Sequence, residues 1–77
     1  MRIRPERKMM PETAWYILDS QGWTHVEGIN GDENIISKRA DDGGVKAEYN
    51  RFTHEIYIQT EMKDQELLAI LTIFNIL

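Results

Sequence analysis

The sequence contains no cysteine, and that one absence removes disulfide staples, zinc–thiolate centres and thiol nucleophiles together. Histidine is nearly as scarce, with only His25 and His54. Their carboxylate neighbours, Glu27 and Glu55, do not complete a set of three or four metal ligands. Neither histidine has the i, i+4 spacing of a helical zinc motif. No run reaches the ~20 apolar residues of a membrane span. The charged N-terminus is followed by no apolar stretch of a secretory signal. These absences predict a cytoplasmic protein, away from membranes, without metal or other cofactor.

Catalytic signatures are missing as well. There is no nucleophile elbow, and Ser20 and Ser37 have no marked base beside them. The glycines do not gather in a phosphate-binding strand-to-helix turn. "RADDGG" lacks the alternating oxygen ligands and the distant glutamate of a calcium loop. The sequence therefore predicts a protein that is not an enzyme.

What is present is a short chain with divided charge. Seventy-seven residues make one domain with a thin core. At this size a core alone supplies only ~3–5 kcal/mol. Residues 1–10 read as a flexible basic arm and 11–77 as the domain. Arg2, Arg4, Arg7 and Lys8 stand against Glu6 alone, so residues 1–8 carry +3 while the rest carries −7. An acidic body repels nucleic acid and attracts basic protein surfaces. Direct contact with nucleic acid is expected only through Arg2, Arg4, Arg7 and Lys8.

The periodicity predicts an α+β fold in the order α-β-β-β-α. The first helix covers 11–21, opened by Pro11 and stopped by Gly22, with Trp23 folding back as an aromatic latch. "ENIISKR", "VKAEYN" and "EIYIQT" read as three strands of an antiparallel meander, with an extra edge strand open at 24–29. "ADDGG" and "RFTH" are the turns between them. Thr60 caps a closing helix over "KDQELLAILTIFNIL". Both helices are expected on one face of the sheet, giving two layers.

Alternation places Val45, Ala47 and Tyr49 on the core side and turns Tyr57 away from Ile56 and Ile58. Tyr57 is thus a candidate partner anchor or a cross-strand pairing residue. On the closing helix Leu67, Ile70, Leu71, Ile73, Phe74 and Leu77 share the core-facing sector. Leu68 and Ile76 look elsewhere and are candidate contacts with a second copy.

Taken together, "LDSQGW", "IISKRADDGGVKAEYNRFTHEIYIQ" and "QELLAI" resemble short phage- and prophage-encoded α-β-β-β-α proteins. Acidic anti-CRISPR inhibitors of Cas9-type nucleases are among these. The resemblance covers residues 12–77 and is one of architecture, with no diagnostic motif. It implies an acidic surface that occupies a nucleic-acid-binding site on a host protein. Asp32, Glu33, Asp41, Asp42, Glu48 and Glu55 would then stand in for phosphates. The basic arm departs from that pattern. The other expectation is a small homo-oligomeric regulator, assembled as a homodimer through its closing helix, with the basic arm on DNA.

Overall fold

Pro11 sets the start of the first helix, because its missing N–H and fixed φ suit the first helical position. The computed structural model describes residues 2–6, 8–25, 33–59 and 64–74, and runs helix α1 over Pro11–Ser20. The helix ends in a Schellman turn. Gly22 takes φ +88°, where a side chain would be strained. Its N–H donates to Asp19 O at 3.1 Å, and the Trp23 N–H donates to Leu18 O at 3.0 Å. Trp23 then folds inward and is buried.

The strands are β1 (Arg2–Ile3), β2 (Thr24–His25), β3 (Ile35–Arg39), β4 (Val45–Asn50) and β5 (Glu55–Ile58), followed by helix α2 (Asp64–Phe74). They form one antiparallel sheet in the order β1-β5-β4-β3-β2. This corrects the expected α-β-β-β-α meander of three strands. The sheet has five, and its first strand in sequence lies beside its last. Residues assigned to the basic arm supply β1, with Arg2 opposite Tyr57 and Ile3 opposite Ile56. Residues just past the Trp23 latch supply β2, with Thr24 opposite Ser37 and His25 opposite Ile36. Each added strand is two residues long, too short to carry a periodic signal. Long-range partners fix both.

The two faces of the sheet follow from strand alternation. Ile3, Ile56, Tyr49, Ile36 and His25 share one row across the five strands. Ala47 and Ile58 lie in the next row on that face. Ala14 and Leu18 of α1 and Ile70 and Phe74 of α2 join these sheet residues in a single core, so both helices serve one face. The radius of gyration is 11.7 Å, close to the ~11.5 Å expected of a compact chain this long.

A β-bulge interrupts the alternation. Lys38 pairs with Ala47, but Arg39 pairs with Val45, which leaves Lys46 as the extra residue. Its Nζ lies 3.7 Å from Glu66 Oε1 and ties β4 to α2. The clean Val45–Ala47–Tyr49 pattern is thus shifted at its first member. Thr60, Asp32 and Ile76 lie outside the described residues, as do the 26–29 part of the edge-strand expectation and residue 77.

Candidate functional site

Among the described residues the opposite face of the sheet carries no helix. Its central row runs Arg2, Tyr57, Glu48, Ser37 and Thr24 across the five strands. The neighbouring row holds Glu55, Asn50 and Ile35. Three residues singled out in the sequence, Glu48, Glu55 and Tyr57, therefore meet on the β4–β5 hairpin. With Arg2, Asn50 and Thr53 they line a polar cleft of about 110 Å³.

The chain's own N-terminus already sits on this cleft. The Arg2 guanidinium lies 5.4 Å from the centroid of the Tyr57 ring. One step along the same register, Arg4 Nη2 donates to Glu55 Oε1 at 3.2 Å. Each contact is weak. An exposed cation–π pair contributes ~0.5–1 kcal/mol. The Arg4 side chain is 74% exposed, so its ion pair contributes at most about 1 kcal/mol. Two cations thus offset two anions locally, within a chain that is acidic overall. Glu48 makes no ion pair among the described residues.

At the end of the hairpin, the turn between β4 and β5 is held rigidly. Asn50 Oδ1 accepts from the backbone N–H of Phe52 at 2.8 Å and of Thr53 at 3.3 Å. The His54 N–H donates to Asn50 O at 2.7 Å, and His54 takes the left-handed φ of 58°. Arg51 is fixed from three sides. Its N–H donates to Asn34 O at 2.9 Å and its Nε to Asn34 Oδ1 at 3.2 Å. Its guanidinium lies 4.4 Å from the Trp15 ring centroid. The product of this bracing is Phe52, 84% exposed beside the cleft residues Asn50 and Thr53.

Beneath the turn, on the core side, Tyr49 Oη lies 2.6 Å from His54 Nδ1. His54 Nε2 is buried without a hydrogen-bond partner among the described residues. Burial pushes the Tyr49 hydroxyl up to about 12, with Glu12 adding to the shift and Arg51 opposing it. Phe74 stacks on the same ring at 6.4 Å between centroids. Tyr49 therefore belongs to the core and leaves Tyr57 as the sheet's outward tyrosine.

The other candidates lie elsewhere. Asp41 and Asp42 are exposed in the β3–β4 turn. Asp42 Oδ1 accepts the Gly44 N–H at 2.8 Å, a turn-forming role. That turn sits at the far end of the six-residue β4, about 20 Å from the Phe52 turn at ~3.3 Å per residue. Glu33 is exposed next to Asn34, at the Phe52 end. Leu68 is 61% exposed on α2. Lys8 is exposed, and Arg7 is outside the described residues.

A second cleft of about 110 Å³ lies between the helices and the sheet, lined by Leu18, Trp23, Ile70 and Ala69 with Gln21, Lys38 and Glu66 at its polar parts. Both clefts are small beside the ~300–1,000 Å³ of small-molecule sites. Among the described residues no three His, Asp or Glu side chains could hold a metal ion together. No described helix is long and apolar enough to cross a membrane.

Sequence reasoning singled out Glu48, Glu55 and Tyr57 as candidates but did not single out two features that lie beside them. Arg2 and Arg4 read as part of a flexible basic arm free to touch nucleic acid, and only their alternation around Ile3 hinted at a strand. Phe52 read as a loop residue. Its signal was an aromatic set between turn formers, outside any apolar period. The chain matches no family model, no curated protein and no solved structure.

Proposed function

We propose that this chain is a non-enzymatic interaction protein that grips a basic protein surface with the outer face of its β4–β5 hairpin. The observation that carries this reading is the convergence of Glu48, Glu55 and Tyr57 on one cleft that already holds an arginine of the same chain. Exposed Phe52 adds an aromatic anchor at its rim, and a few aromatic or arginine contacts usually dominate an interface. In its sharper form the partner is a nucleic-acid-binding nuclease of a bacterial host. The chain is then a cytoplasmic phage or mobile-element inhibitor, acting as a DNA mimic in the anti-CRISPR manner. Glu33, Asp41 and Asp42 extend the acidic surface beyond the hairpin, though about 20 Å separates the two turns of β4.

The test is capture of the partner from host lysate by the wild-type chain and by Glu48→Lys, with added duplex DNA as competitor. The expected result is capture that DNA displaces, that Glu48→Lys weakens at least ten-fold, and that fades toward ~0.5 M salt as charges are screened. Capture indifferent to salt, DNA and Glu48→Lys would sink the reading. Reversal at Asp41 and Asp42 separates the two ends of β4 and is expected to weaken capture less than Glu48→Lys.

Leu68 favours a second reading, a homo-oligomer assembled through α2, because a leucine is 61% exposed there. Ile76, its companion in that reading, lies outside the described residues. Engagement of Arg2 by Tyr57 and Arg4 by Glu55 weighs against a DNA-contacting arm. Sedimentation decides: the oligomer reading expects a dimer that Leu68→Glu dissociates, and a monomer at high concentration removes it.

A further inference from the structure

The N-terminal contact on β5 is more specific than charge pairing. Residues 2 and 3 lie along the edge of β5 in ladder register, and Arg4 follows directly after them. Side chains alternate across that edge. Arg2 goes to the Tyr57 ring, Ile3 packs against the core, and Arg4 goes to Glu55. The edge therefore reads an extended Arg–apolar–Arg segment: backbone pairing supplies affinity, and alternate side chains supply specificity.

We propose that the β5 edge, with Tyr57, Glu48 and Glu55, is a docking site for an extended Arg–apolar–Arg segment of a protein partner, and that residues 2–4 of this chain are its resident stand-in. This inference rests on the function proposed above and names how the partner would be held.

Three observations support exchange. The resident strand is only two residues long, between β5 and solvent at the end of the sheet. Its outer contacts are the exposed Arg4 pair and one cation–π contact. Firm anchoring begins just after it, where Pro5 is buried and the Glu6 N–H donates to Phe74 O at 3.1 Å. Displacement can therefore stop at Pro5 and leave the helical core covered. Once Arg2 and Arg4 leave, Glu48 and Glu55 lose their local cations, and the cleft becomes selective for a basic newcomer.

The probe is a labelled synthetic peptide of residues 1–8, MRIRPERK, read by fluorescence anisotropy against the full chain. Arg2→Ser with Arg4→Ser frees the site and is expected to bind the peptide at least ten-fold more tightly than wild type does. Adding Glu55→Lys to that variant is expected to abolish the gain. A peptide with serine at both arginine positions is expected not to bind. Equal binding by wild type and freed variant, or binding indifferent to Glu55→Lys, overturns the proposal. Circular dichroism checks that the variant folds. If it does not, the wild-type chain is titrated with excess peptide and followed by the amide signals of residues 55–58. Their movement supports the site, and their constancy overturns it. A wild-type dimer that vanishes in the Arg2→Ser, Arg4→Ser variant would make a second copy the occupant and overturn the assignment to a foreign partner. Partner capture that depends on Glu48 while the peptide fails to bind would overturn only the strand mode, leaving the broader reading in place.

Discussion

The two faces of the sheet are built from the same five strands in the same register, one residue apart. On the helix side, Ile3, Ile56, Tyr49 and Ile36 line up beneath Ala14, Leu18, Ile70 and Phe74. On the outer side, Arg2, Tyr57, Glu48, Ser37 and Thr24 line up across the five strands, away from the two described helices. Ser37, on the outer row, is nonetheless buried at 2% exposure. Strand parity decides what each residue does, because side chains alternate with a period of two. One face holds the chain together. The other holds the chain's own arginines against Tyr57 and Glu55.

Neighbouring residues on β5 give the largest effect with which to break this comparison. Ile56 is fully buried among core residues, and Ile56→Ala is expected to cost ~2–5 kcal/mol. For a domain of this size, total stability is only about 4–12 kcal/mol, so that loss approaches unfolding. Tyr57 is half-buried, and its cross-strand and cation–π contacts together are worth ~0.7–2 kcal/mol. Tyr57→Ala is therefore expected to lower the urea midpoint less than Ile56→Ala does. Equal losses at the two positions would mean that the outer face stabilises the fold as much as the core does.

The helix-side face was much easier to read from sequence than the outer one. Pro11, Gly22 and Trp23 act on chain neighbours, so the first helix and its stop could be read within a dozen residues. Alternation in "VKAEYN" and "EIYI" likewise separates Tyr49 from Tyr57 locally. The outer site depends on contacts that no local pattern records. Arg4 meets Glu55 across 51 residues. Arg2 stands opposite Tyr57, 55 residues further along the chain. A two-residue strand carries no period, and its charges look the same whether solvated or docked. Counting acids therefore suggested a broad acidic surface, whereas the fold places Glu48 and Glu55 under the basic arm and sends Asp41 and Asp42 to the far turn.

Tyr49 offers a middle-sized effect that sharpens the core side of the comparison. Its hydroxyl is raised from the usual 10 to about 12, chiefly by burial, so the folded state holds the phenolic proton where the unfolded chain releases it. Between pH 10 and about 12 the folded state binds more protons than the unfolded one, and stability falls as pH rises. Below pH 10 both states are protonated and the contribution is constant. Tyr49→Phe removes the titration but also removes the partner of His54 Nδ1, which costs ~1 kcal/mol at neutral pH. Urea midpoints at neutral pH and across pH 10–12 are expected to converge for the two proteins, because only the tyrosine chain carries this alkaline loss. Parallel midpoints across that range would show that Tyr49 ionises as easily in the core as in water.

Phe52 is expected to have the smallest effect on stability and one of the larger effects on binding. Its side chain is 84% exposed, so Phe52→Ala returns almost no buried apolar area to water. The turn is held by Asn50 through backbone N–H groups, and these bonds do not involve the phenyl ring. Unfolding free energy should therefore change by less than ~0.5 kcal/mol, as for other surface substitutions. Asn50→Ala provides the contrast, since it removes the acceptor of two N–H groups and loosens the turn itself. An aromatic carried by a braced turn is partly pre-organised for contact, because little loop freedom remains to be lost on binding. Phe52→Ala is thus expected to weaken partner capture at least ten-fold while the fold is unchanged. If capture survives intact, the interface ends at the cleft of Tyr57, Glu48 and Glu55 and does not extend to the hairpin tip.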